Sequence, residues 1–237
     1  RFLKSFLVGS IRRDGNDYAV TATLHDSKTG RPLAAERSFR GADVFGLVDS
    51  VSRQVRYDLG IPSHYIDTTV DMPCAALSTN SIVALEYLAT GLLVQFEDVD
   101  LETSKGYIEA AIDEDSTFAL AHYFLENLYA NLGGPNDPRR RWSLEQLMKY
   151  LDRLPERIQI DTKYNWFRYL HKDEEAFRLA RMYVELYPDD IDAQERLAGE
   201  YDKRGDRGKM VRLYELIARL DPDRHELLIT LGRQLEK

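Results

Sequence analysis

Apolar and polar positions follow two different rhythms along this 237-residue chain. From Phe6 to Phe39 they alternate. In "FLVGSIRRDGNDYAVTATLHDSKTGRPLAAERSF" an apolar run gives way to "RRDGND", then Tyr18, Val20, Ala22 and Leu24 take every second position, and "SKTGR" precedes another short run. Alternation at period two, broken by turns containing Gly and Asn, predicts three strands joined by hairpins. The rhythm then changes. "GADVFGLVDSVSRQVRYDLGIP" starts at Asp43, a capping residue, and sets Phe45, Val48, Val51, Val55 and Leu59 on one helical face before Gly60 and Pro62 stop it. Residues 1–62 therefore read as a compact α+β piece of three strands and a helix. "IPSHYIDTTVDMPCAALSTNS" has little periodicity, which predicts a linker over 63–80.

Beyond the linker the period becomes helical and repeats. Pro188 and Pro222 stand 34 residues apart (222 minus 188), within the roughly 20–50-residue range of stacked repeats. Between them Gln194, Leu197, Ala198 and Tyr201 share one face, Gly205 breaks the helix, and Met210, Tyr214, Ile217 and Ala218 share the face of a second. This is a helix–turn–helix unit. The unit before it carries Ile160, Tyr164, Phe167 and Leu170, then Ala176, Ala180 and Tyr183; the unit after it begins near His225 with Leu228, Leu231 and Gly232. Upstream, "FALAHYFLENLYANLGG" supplies another first helix with His122, Leu125, Tyr129 and Gly133 at matching offsets, and "GGPNDPRRRWS" lengthens its turn. "SKGYIEAAIDEDSTFA" reads as a second helix, and "NSIVALEYLATGLLVQF" as the first helix before it, with Gly91 as a small packing residue. Residues 81–237 are thus expected to form about four to five units of an all-α solenoid, because a helix pair buries its apolar face only by stacking on its neighbours.

"RLAGEYDKRGD", "LDP" and "TLGRQ" resemble tetratricopeptide repeats in their Leu-Gly or Leu-Ala, Tyr, Gly, Ala and closing Pro pattern, with Glu126 and Tyr164 standing where that family usually has a small residue. "VGSIRRDGNDYAVTATLHDSKTGRPLAAERSF" followed by "DVFGLVDSVSRQV" resembles the carboxyl-terminal half of the TolB amino-terminal-like domain of bacterial signalling proteins. That family shows an "EGSVRR" strand, a "TG…W.E" hairpin and a "DIFALQDEIA" helix, commonly ahead of tetratricopeptide repeats; here Ala35 replaces the frequent aromatic and the earlier strand–helix half has no counterpart. The resemblance implies a regulatory part of a bacterial signalling protein that also carries a protein-kinase, adenylate-cyclase or DNA-binding regulator domain. It also implies that the sheet is completed by another strand or chain.

Composition narrows the function. With 43% hydrophobic residues the chain can bury a core, and a net charge of −8 argues against general nucleic-acid binding, which needs a dominant basic face. The chain opens on Arg1, has no apolar run near 18 residues and no leader pattern, so it reads as a piece of a longer protein without a membrane segment of its own. A single cysteine, Cys74, rules out an internal disulfide and points to a reducing, cytoplasmic setting, or to the periplasm if the longer protein carries an anchor. No cation or helix start in the neighbouring sequence activates it. His25, His64, His122, His171 and His225 are scattered, which predicts no metal site, and no cofactor motif is present. "DGND" at Asp14–Asp17 reads as a hairpin turn rather than a calcium loop, and "RRR" at Arg139–Arg141 as solvated loop charge.

No cluster of acid, base and nucleophile emerges, so an enzyme is not expected. The favoured reading is a protein-interaction or regulatory module; the alternative is a small-ligand sensor, which needs a closed pocket in 1–62. In a tetratricopeptide stack the first helices line the inner face, which there holds Tyr123, Asn127, Asn165, Arg168, Tyr169 and Arg196. Aromatic, amide and guanidinium groups suit an extended peptide with an acidic end, since Arg grips a carboxylate through two bonds and Asn bonds to backbone. The family's two-carboxylate clamp of Lys and Asn is incomplete. An exposed edge of the half-sheet would also permit a homodimer.

Overall fold

The computed structural model describes residues 4–68, 73–95, 100–134 and 137–221. The alternating segment forms an antiparallel sheet of β1 (Ser5–Asp14), β2 (Asp17–Asp26) and β3 (Arg37–Gly41), in the order β1-β2-β3. The β1–β2 turn is Gly15-Asn16; Gly15 takes φ 66° and Asn16 a negative φ, the type II′ arrangement that places glycine first. Asp26 ties the next connection by accepting from the Lys28 and Thr29 amides at 3.0 and 2.8 Å. The alternation does what it predicts on β2, where Val20, Ala22 and Leu24 are buried.

Helix α1 (Val44–Asp58) packs against β2 and β3, its N-terminus capped by Asp43, which accepts from the Phe45 amide at 3.1 Å. Its buried face differs from the expected one. Val44, Phe45 and Leu47 are buried, whereas Val48 and Leu59 are exposed. The line toward the sheet runs through Leu47, Val51, Gln54, Val55 and Asp58, a stripe at steps of three and four rotated away from Val48, and Leu59 lies past the last turn. Arg37 on β3 pins the end of this helix by donating to Asp58 at 2.9 Å.

Where a linker was expected, the chain forms the short helices α2 (Ser63–Thr68) and α3 (Cys74–Leu77). Asp49 on α1 accepts from the Cys74 amide at 2.8 Å, so a tertiary contact orders a segment whose local pattern is weak. Cys74 therefore does stand at a helix start, but one of four residues facing a carboxylate rather than a cation.

The helical rhythm then runs through α4 (Ile82–Leu93), α5 (Leu101–Glu114), α6 (Ala119–Gly133), α7 (Arg139–Lys149), α8 (Glu156–Tyr169), α9 (Asp173–Leu186), α10 (Ile191–Lys203) and α11 (Arg207–Leu220), with a 3₁₀ turn at Leu151–Arg153. From α6 onward each helix packs on the next in sequence. Contacts divide the chain into two compact units, one of Phe2–Thr90 with Ala110–Phe118 and one of Gly91–Glu109 with Ala119–Lys237. The class is thus an α+β piece succeeded along the chain by an all-α array of helical hairpins. Pro222 and the unit expected from His225, Leu228, Leu231 and Gly232 lie outside the described residues.

Small residues let the helices approach: a Cβ added at Gly91 would meet Ile108, Ser104 and Tyr107 atoms at 3.1 Å. Ala119, Leu144, Leu147 and Leu154 form one core cluster, and Tyr164, Ala176, Ala180 and Leu197 another. Each such Leu contributes about 1.5–3 kcal/mol by burial. The 34-residue step also recurs in the backbone. Gly205 ends α10 at φ 72°, and 34 residues earlier His171 ends α8 at φ 57°, the one described non-glycine residue with positive φ. Both sites close with the same pair of amide bonds, Lys172 to Phe167 and Asp206 to Tyr201 carbonyls, each at 2.9 Å.

Candidate protein-interaction face

The residues expected to meet a partner lie on α6, α8 and α10, and the structure gathers them around two carboxylates that the sequence reading did not single out. The first is Asp161 on α8. Tyr123 on α6 donates its hydroxyl to it at 3.2 Å, Asn165 its amide at 3.3 Å, and Arg196 on α10 its guanidinium at 2.9 and 3.4 Å. Three helices from successive hairpins thus share one acceptor. Asp161 and Asn165 are buried, Tyr123 is half-buried, and the Arg196 side chain keeps 34% of its surface exposed. Burial, reinforced by the Asp161 charge, pushes the Tyr123 phenol upward, so it stays a neutral donor.

The second carboxylate is Glu200 on α10. It accepts from the Tyr164 hydroxyl at 3.0 Å, from Lys203 at 3.0 Å and from Arg204 at 2.9 Å, and Arg168 lies 3.6 Å away. Arg168 also pairs with Asp173. Tyr164 is raised by burial and then by Glu200. Tyr164, where the repeat resemblance leads one to expect a small residue, sends its hydroxyl across to the next hairpin. Glu126, the other such exception, is buried against Arg140, whose Nε donates to it at 2.8 Å. Burial raises the Glu126 pKa, and the Arg140 charge opposes that rise.

Arg140 corrects the reading of "RRR" as solvated loop charge. The triplet starts α7; Arg139 binds Asp137 at 2.6 Å and lies over the Tyr129 ring at 4.8 Å, Arg140 is buried, and Arg141 bonds Glu145 at 2.9 Å. The buried Glu126 supplies the reason. Among the remaining expected residues, Asn127 donates to the Tyr123 carbonyl one turn back at 3.0 Å, and Tyr169 packs beside the Leu144 and Leu147 cluster. Asp161 and Glu200 carried a usable sequence signal. Asp161 with Arg196 and Arg157 with Asp192 are spaced 35 residues apart, and Tyr164 with Glu200 36, about one repeat.

The α+β piece holds a small, partly open cavity of about 10 Å³ beneath α1, lined by Leu7, Ala22, Leu24, Phe39, Val51 and Val55 among others, room for about one water. Among the described residues no group of three or more His, Cys, Asp or Glu is placed to hold a metal ion, and no helix is long and apolar enough to cross a membrane.

Fold and face together define a chain of tandem helical hairpins whose first helices share a polar stripe. No family model matches the chain and no curated protein does. Among solved structures, YrrB, a TPR protein with an unusual peptide-binding site, is 17% identical over 63% of this chain and 74% of its own, with a TM-score of 0.42. MamA from Desulfovibrio magneticus RS-1 is 18% identical over 64% and 83%, with a TM-score of 0.44. A further MamA structure is 17% identical over 60% and 81%, with a TM-score of 0.40.

Proposed function

We propose that this chain is a non-catalytic interaction module of a larger bacterial signalling protein, binding a peptide or protein segment along the face of α6, α8 and α10. The observation that supports it is the shared stripe: Tyr123, Asp161 and Arg196 link three first helices and hold them in fixed register, leaving Arg196, Arg168, Asn127 and Tyr169 partly exposed beside it. A surface whose own groups are already oriented loses little entropy when it binds. Arg196 commits Nε and Nη2 to Asp161, which leaves its Nη1 N–H groups for a partner's carboxylate or carbonyl. The signalling context rests on the order of the two sequence resemblances. The sensor alternative needs a closed pocket, and the two hollows described in the α+β piece do not supply one: that beneath α1 holds about 10 Å³, and that of about 260 Å³ beside β1, lined by Leu7, Ile11, Val20 and Val51, lies open to solvent.

The test is a peptide library, each sequence with a free or an amidated C-terminus, titrated against the whole chain by fluorescence polarisation. Bound sequences should lose affinity when Asn127→Ala or Tyr169→Ala is introduced, and free acids should outcompete amides. Binding that ignores both substitutions, or a library with no binder, overturns this reading.

A further inference from the structure

β1 is the outer strand of its sheet, and it carries more apolar surface than an edge strand normally exposes. Phe6, Leu7, Val8 and Ile11 are 40%, 50%, 50% and 56% exposed. Leu7, Gly9 and Ile11 pair with Leu24, Ala22 and Val20, so they share the face that α1 covers over β2 and β3 but leaves open over β1. The backbone direction is also fixed. Lys4 accepts from the Ser27 amide at 3.1 Å and Asp14 faces Asp17 across the two-residue turn, so even-numbered residues of β1 bond to β2. The N–H and C=O groups of Ser5, Leu7, Gly9, Ile11 and Arg13 therefore point outward, where no described strand pairs with them. Long, apolar edges of this kind are templates for pairing with another strand.

We propose that β1 pairs antiparallel with β1 of a second copy of this chain, with Gly9 facing Gly9 on the two-fold axis. Outward bonding restricts the pairing to registers that set odd residues against odd ones, and the side chains choose among the three central registers. With Gly9 on the axis, Leu7 meets Ile11, Ser5 meets Arg13, Phe6 meets Arg12 and Lys4 meets Asp14 of the other copy. Apolar faces apolar, a ring faces a guanidinium, and the terminal charges are opposite. A shift of two residues one way sets Arg12 against Lys4, two like charges; the other way sets Leu7 against Arg13 and Phe6 against Asp14. A two-fold axis normal to the sheet keeps both copies of α1 on one face, with Leu7 and Ile11 of each strand filling the strip between them. The sheet becomes six-stranded, and the contact is independent of the α6, α8 and α10 face. A single strand pair lies at the small end of interfaces, below roughly 1,200 Å², so the dimer should dissociate on dilution.

Two measurements test this on the whole chain. Sedimentation equilibrium should show a concentration-dependent monomer–dimer equilibrium, weakened at least about tenfold by Ile11→Lys, a substitution at an exposed position that leaves the circular dichroism unchanged. In a Cys74→Ser background, Val8→Cys and Ser10→Cys read the register directly, because those two residues face each other across the axis in a closely spaced pair. An equimolar mixture of the two single variants should crosslink. Val8→Cys alone crosslinks only in the register centred on Val8, and Ser10→Cys alone only in that centred on Ser10. A monomer at every concentration, a dimer indifferent to Ile11→Lys, or crosslinking confined to either single variant overturns the proposal; the first outcome leaves β1 to a different chain segment or protein.

Discussion

β1 and the first helices of the hairpins both present residues to solvent, but they differ in how much of their bonding is already complete. On α8 and α10 the polar side chains answer one another across successive hairpins, Asp161 with Tyr123 and Arg196, Glu200 with Tyr164 and Arg204. On β1 a row of backbone groups has no strand partner among the described residues, and Leu7, Val8 and Ile11 are half-exposed. The first kind of surface is organised by its own fold and contributes to stability; the second pairs with β2 along one edge and leaves the other edge open. Substitutions on the two should therefore separate stability from self-association.

The largest effect is expected inside the hairpins. Arg140→Ala strips the partner from a buried Glu126 and should cost about 3–5 kcal/mol in urea unfolding. Replacing both residues together, Glu126→Leu with Arg140→Met, should recover most of that loss, since no uncompensated charge remains; failure to recover would mean that the pair positions α6 and α7 beyond its charge balance. Asp161→Asn comes next, at about 1–3 kcal/mol, because Tyr123, Asn165 and Arg196 lose a charged acceptor, with part of the Arg196 contribution screened by solvent. Equal unfolding curves for wild type and Asp161→Asn would make the stripe ornamental to folding. A smaller change of opposite sign is expected at the repeat junction: His171→Gly should stabilise by about 0.5–1 kcal/mol and raise Tm, because only glycine takes positive φ freely and its homologous position already holds Gly205.

One part of the acid response lies in the α+β piece. Asp58 is held below the usual carboxylate range, first by its hydrogen bond from Arg37 and then by that of Gln54 against the cost of burial. A depressed folded-state pKa means that this stabilisation is present above the unfolded value and is lost as pH falls through the folded one. Asp58→Asn should flatten the acid limb of the stability profile below about pH 4, where free Asp titrates. Ile11→Lys should change stability least, within about 0.5 kcal/mol, while altering association most. A large stability loss from that substitution would show that β1 is structurally committed rather than available.

How far the sequence reaches differs between these regions. The strands, their turns and the helical period follow from local physics: alternation at β2, glycine at the β1–β2 turn, Asp43, Asp190 and Asp206 at helix starts. The rotation of α1 did not follow, because Val48 and Leu47 are adjacent apolar residues and only contact with the sheet selects between them. The residues expected to meet a partner lie on α6, α8 and α10, yet their engagement with one another was not visible, because Asp161 and Glu200 read as ordinary helix-surface acids until the hairpins stack.

The sequence by itself thus determined the period of each segment, the places where long helices such as α1, α10 and α11 start, and the chemical types displayed on each face, since these depend on contacts within a turn or two of the chain. Tertiary structure alone decided which charges are consumed. Arg140 became a buried partner rather than a solvated one, Tyr164 and Glu126 became bonded exceptions at small-residue positions, and Cys74 was drawn into an ordered helix by Asp49. Each of these depends on a residue 14 to 36 positions away, and pairing energy over such separations exists only once the backbone has brought the partners together.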